Sequence, residues 1–194
     1  MKFNPISLFI IFIFFIILIV SFIFLDFGKT TKVSDSPNLK GEVIKFKANN
    51  SPRKTNKIFW EKIDGNKDRI KNYNGKVVLM NFWATWCVPC IEELPAIDKL
   101  KKIFDEDKFE VVAINLDSGD KSKAENLLTK LKIKNIELFF DSNNYLADFL
   151  DVSVIPTTII FGKKGIEKGR IFGNINWTKR EAVELINFYI NAIE

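Results

Sequence analysis

The sequence has no histidine and only two cysteines among its 194 residues. A structural zinc site takes four nitrogen or sulfur ligands, usually as two separated pairs, so this composition argues against zinc. The net charge is +5, but no basic stripe alternates with aromatic residues, and we expect no nucleic-acid partner. We therefore expect neither a metal nor another cofactor, and any chemistry must come from the side chains themselves.

What the chain does have is one C-x-x-C pair, Cys87 and Cys90, which ends the segment NFWATWCVPC (residues 81–90). A structural disulfide closing so short a loop would stabilise the fold very little. A two-coordinate Cu(I) site stays open, because soft thiolates select that ion. The third possibility is a redox pair that cycles between dithiol and disulfide.

The position of the pair favours redox chemistry. It lies between a predicted strand at 77–83 and a predicted helix at 90–104, where the partial positive charge of a helix N-terminus lowers a thiol pKa. Cys87, nearer the tip, is expected to be the exposed nucleophile that attacks a disulfide of another protein. Cys90, one turn inside and shielded, is expected to resolve the mixed disulfide.

The resolving step requires Cys90 to lose a proton, so a base is expected nearby. Glu93 lies three residues further on, on the same helical face, and is the candidate proton acceptor. The alternative is an ordinary solvent-exposed glutamate of the helix. The pKa of Cys90 in a Glu93→Gln variant separates these two interpretations.

The N-terminus contains an uncharged apolar stretch, residues 6–25. As a helix it would be about 30 Å long, the thickness of a bilayer core, and it exceeds the roughly 7–15 apolar residues of a signal peptide. We predict an uncleaved transmembrane anchor over 1–25 rather than a removed signal. A polar linker is predicted over 26–56, with a possible short strand at 43–46, and the folded domain over 57–194.

The domain is predicted to be α/β, because strand and helix patterns alternate along it. Asp64-Gly65 predicts an N-terminal β-hairpin, and residues 178–181 match a capping box that opens the last helix. The expected fold is a central mixed sheet flanked by helices. Its predicted strands are 77–83, 109–117, 136–141, 157–162 and 169–173, and its predicted helices are 90–104, 121–132, 145–150 and one from residue 178.

These residues resemble the thioredoxin superfamily, specifically its membrane-anchored TlpA/ResA/CcmG(DsbE)-like thiol:disulfide reductases. The resemblance spans about 57–193 and rests on GKVVLMNFWATWC, the C-x-x-C pair, Pro95 and VIPTTIIF. It implies a thioredoxin-like fold with a helix–strand insertion at about 120–139. A peroxidase is disfavoured, because the threonine–cysteine signature of peroxidases is missing.

The resemblance also assigns expectations to single positions. It implies that Pro156 follows a cis peptide bond and that the backbone of Ile155 pairs with substrate. It matches Glu93 to an acidic residue that tunes the thiols. Asn81 stands where typical thioredoxins have a buried aspartate. Trp177 is either a marker of the TlpA branch or a packed aromatic residue.

The other two tryptophans of this region are assigned by position. Trp83 ends the predicted strand and is expected in the core. Trp86 adjoins Cys87 and is expected at the rim of a docking surface that binds substrate.

The expected protein is a monomeric, single-pass thiol:disulfide oxidoreductase of a bacterial inner membrane, with its catalytic domain on the periplasmic or extracytoplasmic side. It would act as a reductant of oxidised protein disulfides and receive electrons from a membrane thiol-transfer protein. Apocytochrome c and copper-assembly proteins are both open as clients, which would place it in cytochrome c maturation or copper-centre assembly. A dithiol oxidant or isomerase, and a Cu(I)-binding assembly module, are the alternatives.

Overall fold

The computed structural model describes residue 9 and residues 12–21, 36–49 and 58–193. The chain divides into two units, Met1–Ser36 and Pro37–Glu194. In the first unit, residue 9 and residues 12–21 are helical. The described part of the chain contains no helix that is both long enough and apolar enough to cross a membrane. The predicted anchor, residues 1–25, extends beyond the described residues at both ends.

The second unit is built on an eight-stranded sheet, counted over the described residues. The strands are β1 Lys47–Ala48, β2 Phe59–Glu61, β3 Lys67–Arg69, β4 Val77–Trp83, β5 Phe109–Asn115, β6 Glu137–Phe140, β7 Thr157–Phe161 and β8 Glu167–Phe172. Their order is β1-β8-β7-β4-β5-β6-β2-β3. β4, β5 and β6 are parallel, and the remaining pairs are antiparallel, so the mixed sheet is confirmed.

Four α-helices and two 3-10 helices accompany the strands in the described part of the second unit. The α-helices are α1 Val88–Lys101, α2 Ser122–Lys130, α3 Tyr145–Phe149 and α4 Arg180–Asn191, and the 3-10 helices are Gly41–Lys45 and Ile70–Tyr73. The predicted insertion is present as α2 and β6, and the predicted hairpin as β2 and β3. α1 begins two residues earlier than predicted, which places Cys87 at its N-cap.

The core lies on both faces of the sheet, and β4 shows why its sequence is continuously apolar. All seven of its residues are buried, and alternate side chains of a strand point to opposite faces. Leu79 and Trp83 belong to one cluster, which α1, α2 and α4 cover, whereas Val78 and Met80 belong to the other, which α3 covers.

Residues 41–48 correct the predicted linker and strand. The predicted strand at 43–46 is wrong: Gly41–Lys45 is a 3-10 helix, and only Lys47–Ala48 pairs with β8. Val43 and Phe46 are 0% and 4% exposed and belong to the core. Their three-residue spacing suits a 3-10 turn, in which such side chains share a face. This part of the chain therefore belongs to the folded unit.

The capping box predicted at residues 178–181 is also wrong. The N-cap of α4 is Lys179, without a side-chain cap. The Thr178 hydroxyl instead donates to Asn176 Oδ1 (2.6 Å), and the Glu181 carboxylate accepts the backbone N–H of Glu42 (3.2 Å). Glu181 therefore holds the segment before β1.

Candidate functional site: the disulfide at the start of α1

The turn between β4 and α1 carries the two cysteines. Cys87 is the N-cap of α1 with extended backbone (φ −90°, ψ 95°). Its N–H donates to Ala84 O and its carbonyl accepts from Ile91 N–H, both at 3.1 Å. Pro89 fits the first turn, where an N–H has no intrahelical acceptor. The sulfur atoms of this pair therefore lie where the helix presents its partial positive charge.

Cys87 and Cys90 form a disulfide, with an S–S distance of 2.05 Å and a Cα–Cα distance of 5.3 Å. Cys90 is completely buried, and Cys87 is only 5% exposed, although it is the more accessible of the two. The expectation of an openly exposed Cys87 is therefore wrong for this oxidised state. The surface at this point belongs to its neighbours Trp86 and Val88, which are 71% and 64% exposed.

A carboxylate two residues beyond the end of β5 holds the turn, and the sequence did not lead us to predict it. The backbone N–H of Thr85 donates to both oxygens of Asp117 (3.2 and 3.1 Å). The buried Asn115 fixes Asp117 in turn, through Nδ2 to Oδ2 (3.0 Å) and by accepting the Asp117 N–H (3.1 Å). The sequence signal was the N-x-D spacing at the end of a predicted strand that lies beside β4.

The segment before β7 contributes a second set of site residues. The Ile155–Pro156 peptide bond is cis, as the resemblance implies. The half-buried Ile155 packs against the core cluster that contains both cysteines, and Val154 is 53% exposed. Trp83 is fully buried in that cluster, as predicted, and its Nε1 has no hydrogen-bond partner among the described residues.

Glu93 is not the exposed helix glutamate that the alternative interpretation required, because it is only 3% exposed. Its Oε1 accepts from Asn81 Nδ2 at 2.7 Å. Its Oε2 accepts from Trp177 Nε1 at 3.3 Å and from the Ile175 N–H at 3.4 Å. The carboxyl group thus meets donors from β4 and from the loop that follows β8.

Two opposing effects act on the proton of Glu93, and burial is the larger. Burial raises the pKa of this carboxyl from 4.5 to about 7, because the charged form loses solvation. The hydrogen bonds from Asn81, Trp177 and Ile175, and the positive charge of Lys45, lower the pKa by less. Glu93 can therefore take up and release a proton near neutral pH, which is what a proton acceptor requires.

Two of the uncharged partners acquire roles that the sequence alone did not give them. Asn81, at the position of the thioredoxin aspartate, joins Glu93 to Thr158 through its Nδ2, which donates to Thr158 Oγ1 at 2.9 Å. Trp177 is fully buried, so it is a packed aromatic residue and also a donor to Glu93. Glu93 itself borders a cleft of about 550 Å³ that opens beside α1.

Comparison with known proteins agrees with this geometry. A family model described as the AhpC/TSA family matches residues 41–168. The chain is 37% identical over 120 residues to the thioredoxin-like protein YneN of Bacillus subtilis (strain 168), which covers 61% of this chain and 68% of YneN. It is 30% identical over 134 residues to the thiol-disulfide oxidoreductase ResA of the same organism. This alignment covers 69% of this chain and 70% of ResA.

Two solved structures share the fold. A thiol:disulfide interchange protein of the thioredoxin family from Chlorobium tepidum TLS superposes with a TM-score of 0.61 at 20% identity, over 74% of this chain and all of that one. StoA from Bacillus subtilis superposes with a TM-score of 0.55 at 23% identity, over 68% of this chain and 94% of StoA. The cysteine pair, the fold and these relatives together show that the chain belongs to the AhpC/TSA family of the thioredoxin superfamily and is a TlpA/ResA/CcmG-like thiol-disulfide oxidoreductase.

Proposed function

We propose that the protein reduces disulfides of other proteins, with Cys87 as nucleophile, Cys90 as resolving thiol and Glu93 as proton acceptor. The observation that carries this proposal is the Cys87–Cys90 disulfide at the N-cap of α1, with the buried residue Glu93 three positions after Cys90 on the same helix. The bonded pair is the product state of such a reduction.

The steps balance in atoms and electrons. The Cys87 thiolate attacks one sulfur of a client disulfide, forms a mixed disulfide and releases the first client thiolate. Glu93 takes the proton of the Cys90 thiol. The Cys90 thiolate then attacks Cys87 Sγ, which forms the internal disulfide and releases the second client thiolate. Two electrons pass from the dithiol to the client.

The client surface is proposed to include Trp86 at the rim, with Ile155 and Pro156 opposite the cysteines. Trp86 and Val154 expose apolar surface close in sequence to the site residues. Ile155 packs against the cluster that contains both cysteines, and its cis bond to Pro156 directly precedes β7. An extended client segment could then pair with this backbone.

The place of action is proposed to be the outer side of a bacterial inner membrane. The apolar stretch at 6–25 supports an anchor. A disulfide reductant has substrates where disulfides persist, which is outside the cytoplasm. A membrane thiol-transfer protein would regenerate the dithiol. Apocytochrome c or a copper-assembly protein would be the client, in cytochrome c maturation or copper-centre assembly.

Two measurements test the proposal. A reduction potential near the roughly −270 mV of thioredoxin supports a reductant, whereas a value near the roughly −120 mV of DsbA would identify an oxidant. Trapping with Cys90→Ser in cells should freeze the mixed disulfide at Cys87 and capture the client. Cys87→Ser is the matched control, and capture of equal amounts by both variants would contradict the assigned roles.

A further inference from the structure

The 3-10 segment Gly41–Lys45, called the strap below, is fixed onto the folded unit at several points. Val43 is completely buried, and Phe46, directly after the strap, contacts the ring of Tyr189 at a centroid distance of 6.0 Å. The Glu42 N–H donates to Glu181 at 3.2 Å. The strap therefore has a defined position relative to the rest of the unit.

The strap also bonds to the loop that carries two of the donors to Glu93. Lys45 Nζ donates to Asn174 O at 3.2 Å, and the Asn176 N–H donates to Glu42 Oε2 at 3.4 Å. Ile175 and Trp177, which alternate with Asn174 and Asn176 along the loop, contact Glu93 instead. The Ile175 N–H donates to its carboxylate at 3.4 Å and Trp177 Nε1 at 3.3 Å. Successive residues of loop 174–178 thus face the strap and the buried carboxyl group in turn.

The strap and Glu93 border the same cleft. The charged side chains around this cleft are Glu42 and Lys45 from the strap and Glu92 and Lys99 from α1. Loop 174–178 contributes no ionisable side chain, and the β4 and β7 contacts are the neutral Asn81 and Thr158. Lys45 is one of the groups that favour the ionised form of Glu93.

We propose that the strap positions the proton acceptor: Glu42 and Lys45 hold loop 174–178 so that its donors stay on Glu93. This inference rests on the proposed role of Glu93 in the resolving step. It assigns a function in the redox site to a segment that precedes Cys87 by about 40 residues along the chain. Glu42 and Lys45 are positioning residues, because they act on Glu93 and not on sulfur: both act through the loop, and Lys45 also acts through its charge.

The test compares Glu42→Ala and Lys45→Met with Lys47→Met as the matched control. Lys47 lies just beyond the strap, but its ammonium stands over the ring of Phe172 at 5.2 Å and does not border the cleft. The protonation midpoint of Glu93 is followed by NMR of ¹³C-labelled glutamate carboxyl carbons in the oxidised full-length chain. The spectrum of Glu93→Gln assigns the Glu93 signal.

We expect Glu42→Ala and Lys45→Met each to raise the Glu93 midpoint by roughly 0.3 pH unit, since exposed charged contacts contribute effects of this size. Lys47→Met should leave it unchanged. The sign for Glu42→Ala is decisive. Removing a nearby negative charge would by itself lower the midpoint, whereas loosening the loop donors raises it.

A lower midpoint in Glu42→Ala, no shift in either strap variant, or an equal shift in Lys47→Met would each overturn the proposal. A separate kinetic experiment tests the proton-acceptor role of Glu93 itself. That role fails if the rate of Cys90 attack on a preformed mixed disulfide has the same pH profile in Glu93→Gln as in the unmodified chain. The strap variants could still shift the Glu93 midpoint in that case, so the two failures are distinguishable.

Discussion

Replacement of Glu93 by glutamine should make the oxidised protein more stable at alkaline pH, relative to the unmodified chain, than the same replacement makes it at acidic pH. Burial raises the pKa of Glu93 from 4.5 to about 7 in the folded chain. Between these values the folded state binds more protons than the unfolded state, so stability falls as the pH rises. The cost is absent well below pH 4.5, grows through this window and is complete above about pH 7.

The size of the effect follows from the shift. Each pKa unit corresponds to about 1.4 kcal/mol, so ionising Glu93 costs the fold about 3 kcal/mol above pH 7. Because part of this cost is already present at pH 5, the variant should gain about 2.5 kcal/mol relative to the unmodified chain between pH 5 and pH 8. The glutamine keeps an oxygen acceptor, but its amide N–H groups face the donors from Trp177 and Ile175. This mismatch lowers the free energy of unfolding by the same amount at pH 5 and at pH 8, so it does not affect the difference between them.

Urea unfolding of the oxidised chains at pH 5 and pH 8 measures this difference. Glu92→Gln, one residue earlier on the exposed side of α1, is the matched control and should show no such pH dependence. Should the free energies of unfolding of Glu93→Gln and the unmodified chain differ by the same amount at both pH values, Glu93 does not carry a raised pKa, and the argument from burial is refuted.

Three further predictions concern the turn, the rim and the core. Asp117→Ala leaves the Thr85 N–H without its acceptor and should cost about 1–3 kcal/mol of stability and slow insulin-disulfide reduction; Asp98→Ala, which removes a carboxylate that caps the loop at 134–135, should destabilise without slowing turnover per folded molecule. Trp86→Ala should leave the free energy of unfolding within about 0.5 kcal/mol, because the side chain is exposed, yet lower kcat/KM for protein disulfides; an unchanged kcat/KM removes Trp86 from the docking surface. Phe46→Ala should cost about 3–5 kcal/mol in urea unfolding, whereas a true linker residue would cost almost nothing.

Local patterns determined the central part of this protein. A continuous apolar run predicts a strand buried on both faces, and β4 is such a strand. Asp64-Gly65 is sufficient for the turn between β2 and β3, and C-x-x-C at a strand-to-helix junction is sufficient to bring two sulfurs together. These features follow from the sequence because each depends on residues only a few positions apart.

Short-range patterns gave wrong predictions where a side chain contacts a segment that is distant along the chain. Residues 178–181 have the capping-box pattern, but Glu181 bonds to Glu42, which lies 139 residues away along the chain. Val43 and Phe46 lie in a polar, proline-containing stretch, and nothing local shows that the core has space for them. Which partner a carboxylate or an apolar side chain contacts depends on which segments pack around it. Those segments are distant along the chain, so the local sequence does not identify them.

The sequence by itself determined the order in which the site elements follow one another along the chain. These are a buried strand, two cysteines at the start of a helix, and an acidic residue one turn further on. Only the tertiary structure decided that this acid is buried and titrates near neutral pH. Its partners Asn81, Ile175 and Trp177 lie 12, 82 and 84 residues away. Helical periodicity fixes the direction in which Glu93 points, but its solvation depends on which distant segments cover that face, and no local pattern contains that information.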